Sequence, residues 1–247
     1  MKAERPLQLS VVVPAWNEES YLPATLAALD AALAESGVVA EVIVVDNDSS
    51  DHTATVARRA GARVVHEPQR RIAAARNAGA RAARSDRLLF LDADTRVVAV
   101  HIEQVIRAFA EGWAGGGALV GLDRPVAGFA GYGLKLWNKA SWHLRLAAGC
   151  FLFVRRDLHR AIGGFDEGVY AGEELGYSRR LGRLARRSGM RFGILDVPPV
   201  ISSGRKLSWF SPWQHMLVLL TFVLFPWAGR FRALTWFWYR RPRDPGG

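Results

Sequence analysis

The sequence has one cysteine in 247 residues, Cys150, so no internal disulfide can form and a reducing, cytoplasmic setting is expected. Cys150 stands in the apolar run CFLFV, where a buried thiol acts as a small hydrophobe. The opening stretch MKAERPLQLSVVVPAW lacks the long apolar segment and cleavage site of a secretory signal, because charges and a proline precede a short strand-like run. No strand end carries GxGxxG or GxxxxGK[ST], which disfavours a dehydrogenase-type dinucleotide fold and a phosphate-loop NTPase. The six histidines show no HExxH or comparable metal-ligand spacing. Acidic residues are few, 23 against 33 lysines and arginines, and the net charge of +10 makes polyanions the expected partners: nucleotides, phosphorylated lipids or anionic membrane surfaces. Zinc-finger spacing, a basic zipper region and an aromatic RNA-binding signature are all missing, so no nucleic-acid partner is expected.

What is present is an alternation. With 50% hydrophobic and 23% charged residues, the chain can fill one full core. The β-rich runs LSVVVP, EVIVVD, RVVHE and RLLFLD are separated by helical stretches, the rhythm of a mostly parallel sheet with helices on both faces. VVVP and VIVV are apolar throughout rather than alternating, as strands buried on both faces require, so they belong at the centre. Leu22, Leu26, Leu29 and Leu33 share one helix face for the core, and Gly37 supplies a left-handed stop. The glycine-rich stretch from Gly112 to Gly133 reads as a strand at ALVGL between loops able to move round a ligand. Beyond it come a strand at CFLFV, a turn at GGFDE, a polar helix from about Glu173 to Ser188 and a strand at RFGIL.

In an open sheet of this kind, ligands bind beyond the carboxyl ends of the strands. Those ends carry Pro14-Ala15-Trp16-Asn17-Glu18, Asp46-Asn47-Asp48, His66-Glu67-Pro68 and Asp92-Ala93-Asp94, so acids and amides gather at three of the four. Asp92 and Asp94 flank a small residue. On extended backbone both carboxylates project to one side and can share a hard cation, whose other positions go to water and phosphate oxygens. The competing role for these aspartates is to cap a helix beginning near Arg96.

VVVPAWNEE, VVDNDSSDHT, ARNAGA and FLDADT, in that order at strand ends, resemble the motifs of family 2 glycosyltransferases with the GT-A fold, and the similarity runs from about Ser10 to Arg205. The resemblance implies an α/β domain of GT-A type over 1–206, with a nucleotide-binding half at about 1–95 and an acceptor half at about 96–206. It implies that Pro14, Ala15, Asn17 and Glu18 line the nucleoside pocket, that Asp46 and Asn47 reach base or ribose, and that Arg76 and Asn77 lie near base and phosphates. Asp92 and Asp94 fall on the family's DxD metal motif, with Mg2+ or Mn2+ as the implied cofactor. A diphosphate leaving group gathers negative charge as the sugar bond breaks, and a divalent metal with an arginine can stabilise it. Arg76 is the first candidate for that arginine, while Arg70 and Arg71 read equally well as solvated charges.

GGFDEGVYAGEELGYSRRL resembles the segment carrying the family's Glu-Asp pair, with Glu173 at the glutamate position and Glu174 at the aspartate position. A glutamate there reaches one methylene further than an aspartate, so either residue can serve as the base that takes the acceptor proton, Glu174 ranking first. The alternative is two surface glutamates favouring a helix N-terminus. ISSGRK resembles the stretch returning toward the diphosphate, which makes Arg205 and Lys206 phosphate candidates; His215 is a candidate third metal contact. Arg124, Trp137, Asn138 and Arg145, in a variable loop, are candidates for the acceptor side.

After Lys206 the composition shifts. From Leu207 to Gly229 only His215 can carry charge, and LVLLTFVLFPW is flanked by Trp209, Trp213 and Trp227. Serines and prolines weaken a full crossing, so residues 207–247 are expected to form an apolar helical tail lying as a shallow hairpin in the membrane interface. RFRALTWFWYRRPR mixes arginine with aromatic residues, as segments facing anionic head groups do; a core helix or dimer face is the alternative. The expectation is therefore an inverting transferase at the cytoplasmic face of a membrane, peripheral or monotopic. It would pass a sugar from a nucleotide-diphosphate donor, UDP by resemblance, to a hydroxyl or phosphate of a lipid-linked or cell-envelope glycan acceptor. Two other readings are a non-catalytic, membrane-bound nucleotide-sugar binding module and a sugar nucleotidyltransferase; the second lacks its GxGxRL-type start.

Overall fold

The structure, a computed structural model, describes residues 6–125, 128–205, 209, 212–225 and 228–235. Strand β1 (Leu9–Ala15) is buried at every position and pairs in parallel with β2 (Ala40–Asp46) on one side and β4 (Arg87–Leu91) on the other. β3 (Arg63–His66) continues the parallel sheet beyond β2. Past β4 the direction reverses. β8 (Phe151–Arg155) runs antiparallel to both β4 and β6 (Trp113–Gly117), and β9 (Arg191–Ile194) lies parallel to β6, giving the order β3-β2-β1-β4-β8-β6-β9. A small second sheet joins β5 (Thr95–Arg96), β10 (Val200–Ser202) and β7 (Val120–Leu122).

Helices cover both faces, as the unbroken apolar strands require. On one face α1 (Leu22–Ser36) and α4 (Ala99–Ala110) bury Leu22, Leu26, Leu29, Ile102 and Val105 against Val11 and Val13. On the other, α3 (Ile72–Ala82) and α7 (Glu173–Arg187) pack alanines, Tyr177 and Leu181 against Val12, Ile43 and Val45. Burying each such valine or leucine contributes about 1.5–3 kcal/mol. Gly37 ends α1 with φ 65° and its N–H bonded back to the Ala34 carbonyl, the left-handed stop expected from the sequence. Short helices α2 (Thr53–Arg59) and α6 (Arg156–Ala161), the longer α5 (Gly128–Leu144) and α8 (Pro212–Leu224) complete the set.

Three expectations need correction. The helix placed near Arg96 begins at Ala99 with Val98 at its N-cap, because Thr95 and Arg96 pair with β10; Asp92 and Asp94 therefore cap no helix. The glycine-rich stretch is not mainly loop. Gly115, Gly116 and Gly117 form an interior strand where a Cβ on Gly116 would lie 2.2 Å from the Gly193 carbonyl oxygen, so close backbone approach, not mobility, calls for glycine. Residues 128–144 then form α5, which puts Trp137 and Asn138 on a helix.

α3 approaches the sheet closely enough that a Cβ on Gly79 would sit 2.2 Å from Val12 Cγ1, whereas one on Gly182 of α7 would meet Phe192 at an ordinary 3.5 Å. Gly79→Ala should overpack the interface and cost about 1–3 kcal/mol. Gly182→Ala should stabilise by up to about 1 kcal/mol, the helix-interior preference for alanine. Urea unfolding of both variants checks the opposite signs.

Candidate active site

The strand order turns away in opposite directions from the β1–β4 pair, and the crevice beyond the carboxyl ends of these strands is where an open α/β sheet places its ligand. A cavity of about 570 Å³ opens there. Pro14, Ala15 and Glu18 reach it from the end of β1, Asn47 from β2, and Asp92 and Asp94 from β4. Arg76 of α3, Glu173 and Glu174 of α7, and Arg205 after β10 line it as well.

Two guanidinium groups organise this wall. Arg76, only 1% exposed, bonds Asp92 Oδ1 and the Gly149 carbonyl, each at 2.9 Å, and forms a closer ion pair with Glu173. Its centre lies 5.3 Å from the Phe165 ring, and among the described residues its buried Nε finds no partner. A Cβ on Gly149 would meet Arg76 Nη2 at 2.7 Å, so a glycine is needed above the guanidinium. Burial works against the charge, but Asp92 and Glu173 outweigh it and hold Arg76 firmly protonated.

Arg205 grips Glu18 with both terminal nitrogens, at 2.7 and 2.5 Å, and reaches Asp94 Oδ2 at 3.1 Å. Its guanidinium lies 4.2 Å from the Tyr21 ring and 5.5 Å from Trp209. Each aspartate of the DxD triplet thus shares an arginine with a glutamate from a distant segment. The intervening Ala93 is fixed as well, its carbonyl accepting a 2.8 Å bond from the Thr25 hydroxyl of α1.

The two α7 glutamates differ. Glu173 is buried and held by Arg76; burial raises its pKa while Arg76 opposes the rise. Glu174 is half-buried, lines the cavity and has no ion-pair partner among the described residues. Burial pushes its carboxyl up to about 7, the neighbouring Glu173 charge adding to the shift and Arg76 opposing it.

Other predicted residues stand outside the cavity wall. Asn17, at φ 52°, staples the β1 and β2 ends, its side-chain oxygen accepting the Ser50 N–H at 2.8 Å. Asp46 accepts the Ser49 N–H at 3.1 Å. Asn77 ties down the 165–167 turn, bonding the Phe165 carbonyl and N–H, each at 2.9 Å, and Glu167 at 2.8 Å. Asn47, although in the wall, spends its amide on the Glu67 and Gln69 carbonyls. Of the two further arginines, Arg70 lines the cavity while Arg71 bonds Tyr170 and the Glu167 carbonyl.

On the acceptor side Trp137 lines the cavity, Asn138 pins β7 through both polar atoms of Val120, Arg124 packs by Gly204 and Arg145 lies elsewhere. Lys206 and the side chain of His215 fall outside the described residues. The buried histidines are structural: His101 bonds Pro198 O, and His159 bonds Tyr177 with its pKa lowered to about 4 by burial.

Trp16, Tyr170 and Arg232 also line the cavity, although no motif reading assigns them to the site; Cys150 packs against the core as expected but is only half-buried and also lines the cavity. Trp16 and Tyr170 sit inside the very motifs that carry the site. Arg232 has no local signal; it belongs to the arginine–aromatic block expected to face head groups, yet the short helical turns at 228–235 return to the site, where the Tyr170 N–H bonds the Gly229 carbonyl.

Among the described residues no group of three or more histidine, cysteine or carboxylate side chains could hold a metal by itself. Asp92 and Asp94 in one cavity fit a Mg2+ or Mn2+ ion whose remaining ligands are water and phosphate oxygens.

An architecture of this kind, with a DxD triplet at the end of β4, is that of the GT-A glycosyltransferases. In the solved structures, glucosyl-3-phosphoglycerate synthase from Mycobacterium tuberculosis, in complex with Mn2+, UDP and phosphoglyceric acid, matches at a TM-score of 0.60 and 20% identity over 97% of this chain and 80% of that one. Residues 10–163 match the model of the family described as glycosyl transferase family 2, and the chain belongs to that family. An uncharacterized glycosyltransferase of Mycobacterium tuberculosis is 41% identical over 120 residues, 49% of this chain and 50% of that protein. An undecaprenyl-phosphate 4-deoxy-4-formamido-L-arabinose transferase of Pseudomonas aeruginosa is 35% identical over 116 residues, 44% of this chain and 34% of that one. The chain thus spans about half the length of the first relative and a third of the second.

Arg76→Met should leave Glu173 buried without its counter-charge and cost about 3–5 kcal/mol at neutral pH. A carboxyl whose folded pKa is raised binds protons better folded than unfolded, so the deficit should shrink as pH falls toward 5 and Glu173 protonates. Adding Glu173→Gln should restore most of the loss at pH 7. Denaturant titrations at the two pH values check both statements.

Proposed function

We propose that this chain transfers a glycosyl group, with inversion, from a UDP-sugar to a hydroxyl of a lipid-linked or cell-envelope glycan acceptor, with Mg2+ or Mn2+ at Asp92 and Asp94. The observation that carries the proposal is the convergence on one cavity of both aspartates, each held by an arginine, and of the Glu174 carboxyl. When bound, the cation supplies Lewis-acid charge to the diphosphate. Arg76 and Arg205 add fixed positive charge beside the same aspartates, in a setting that needs no reorganisation as the leaving group develops its charge. The acceptor oxygen bonds to the anomeric carbon, the bond from that carbon to the diphosphate oxygen breaks with its electron pair, and Glu174 takes the hydroxyl proton. Trp16, Trp137, Tyr170 and Trp209 offer flat walls for a base or sugar ring.

The chain is proposed to work at the cytoplasmic face of a membrane beside a lipid-borne acceptor, and α8 supports its contact with lipid. Trp213, Met216, Leu217, Leu220 and Leu224 recur at helical spacing and are all exposed, an apolar face of the sort that lies in a membrane interface. Among the described residues no helix is long and apolar enough to cross a membrane. The Pseudomonas relative is named for undecaprenyl phosphate, a lipid-borne phosphate, which supports a lipid partner though not the hydroxyl.

Asp94→Asn should abolish Mn2+-dependent stabilisation by UDP in thermal-shift assays run against UDP- and GDP-sugars. Glu174→Gln should keep donor binding and lower transfer by about 10²-fold or more. In the native enzyme transfer should rise with pH through about 7, since only the ionised Glu174 accepts a proton. Loss of transfer in Glu173→Gln alone would move the base to that residue; full transfer in both variants would point to a phosphate acceptor, which needs no base. Donor binding without transfer to any membrane extract would favour the binding-module reading. Trp213→Glu with Leu220→Glu should end flotation with neutral phosphatidylcholine vesicles, and unchanged flotation would remove the interfacial role of α8.

A further inference from the structure

α7 connects two cavities. Its first turn presents Glu173 and Glu174 to the site described above, and further along Arg179, Arg183 and Arg186 border a second cavity of about 230 Å³, with Arg145 on its other side. The spacing of four and three residues places the three α7 arginines on one helix face. At 1.5 Å per residue they lie about 9 to 20 Å along the axis from Glu173, so the second cavity is separate from the first.

All four arginines are exposed and none has an acidic partner among the described residues, in contrast to Arg107, Arg155, Arg156 and Arg230, which each pair with an aspartate or glutamate. No carboxylate lines the cavity. Arg145 follows α5 in a left-handed conformation, φ 55°, which residues other than glycine adopt infrequently. The floor is apolar, with Leu146 and Phe192 nearly buried, and Gly182 leaves it open. Beside Arg145, Trp142 and Leu144 are 43% and 66% exposed.

Four unpaired guanidinium groups around one concavity repel one another unless an anion enters, and arginine's planar fork matches phosphate oxygens. The apolar floor and the exposed Trp142 and Leu144 indicate what carries that phosphate. A free nucleotide or inorganic phosphate has no use for them, whereas a phospholipid head group arrives with an acyl surface beside it, into which aromatic and aliphatic side chains insert. We propose that this cavity is a second, non-catalytic site that takes the phosphate of an anionic membrane lipid and docks the acceptor half of the protein on the bilayer. The site does not depend on the transfer chemistry, and it differs from the α8 face in requiring lipid charge.

The test is flotation of the full chain with phosphatidylcholine vesicles prepared with and without phosphatidylglycerol. Arg179→Glu with Arg183→Glu should lower binding to the anionic vesicles by about tenfold or more and leave binding to neutral vesicles unchanged. Arg58→Glu with Arg59→Glu on α2, the same charge change on another exposed surface, should lower it by less than about twofold. Metal-dependent UDP binding should persist in the Arg179/Arg183 variant, which separates failure of docking from failure of the transfer reading. Glutamine at the same two positions repeats the test should the glutamates impair folding. Equal losses in the two arginine pairs would reduce the effect to net charge and overturn the site. Loss on neutral vesicles, or displacement of the native protein from anionic vesicles by inorganic phosphate at constant ionic strength, would also overturn it.

Discussion

Two arginines buried among carboxylates constrain everything else in the molecule. Removing a guanidinium from water carries a penalty of several kcal/mol, which only close, well-directed counter-charges offset. Arg76 meets that demand with Asp92 and with Glu173, 97 residues away; Arg205 meets it with Asp94 and with Glu18, 187 residues away. The end of β1, the end of β4, the start of α7 and the segment after β10 are thereby drawn to one cavity. The fold makes room accordingly. Alanines on α3 let that helix lie close to the sheet, and Gly149 leaves space above the Arg76 guanidinium.

The arrangement links stability to chemistry. Both DxD aspartates already face positive charge, so the protein holds two carboxylates within one cavity without leaving them to repel each other. A cation entering with a diphosphate would find one oxygen of each carboxylate engaged by arginine. The same fixed charges that hold the carboxylates in place would then face the leaving group. α7 carries a comparable division along its length, with Glu173 and Glu174 at the N-terminal end and arginines through its later turns, in the sense favoured by the helix dipole.

Much of this was readable in the residues. Unbroken apolar runs placed β1 and β2 inside the sheet, the leucine spacing predicted the buried face of α1, and acids at strand ends marked where the cavity lies. What escaped reading depends on separation or on local ambiguity. The Arg76–Glu173 bridge joins positions too far apart for any spacing rule, and Arg232 comes from a block whose composition reads as membrane-facing. A triple glycine looks like loop because glycine lacks strand preference, yet at Gly116 the neighbouring backbone excludes any side chain. Amides are ambiguous in the same way: Asn17 and Asn77 carry the motif, but in the fold their side chains bond to loops rather than to the cavity.

The most direct measurement is a crystal structure grown with UDP and Mn2+, the ion located by its anomalous scattering. The account requires the ion between the carboxylates of Asp92 and Asp94, touching the diphosphate, with Arg76 still on Glu173. An ion bound elsewhere, or a nucleotide seated in the cavity with neither aspartate near its phosphates, would contradict it.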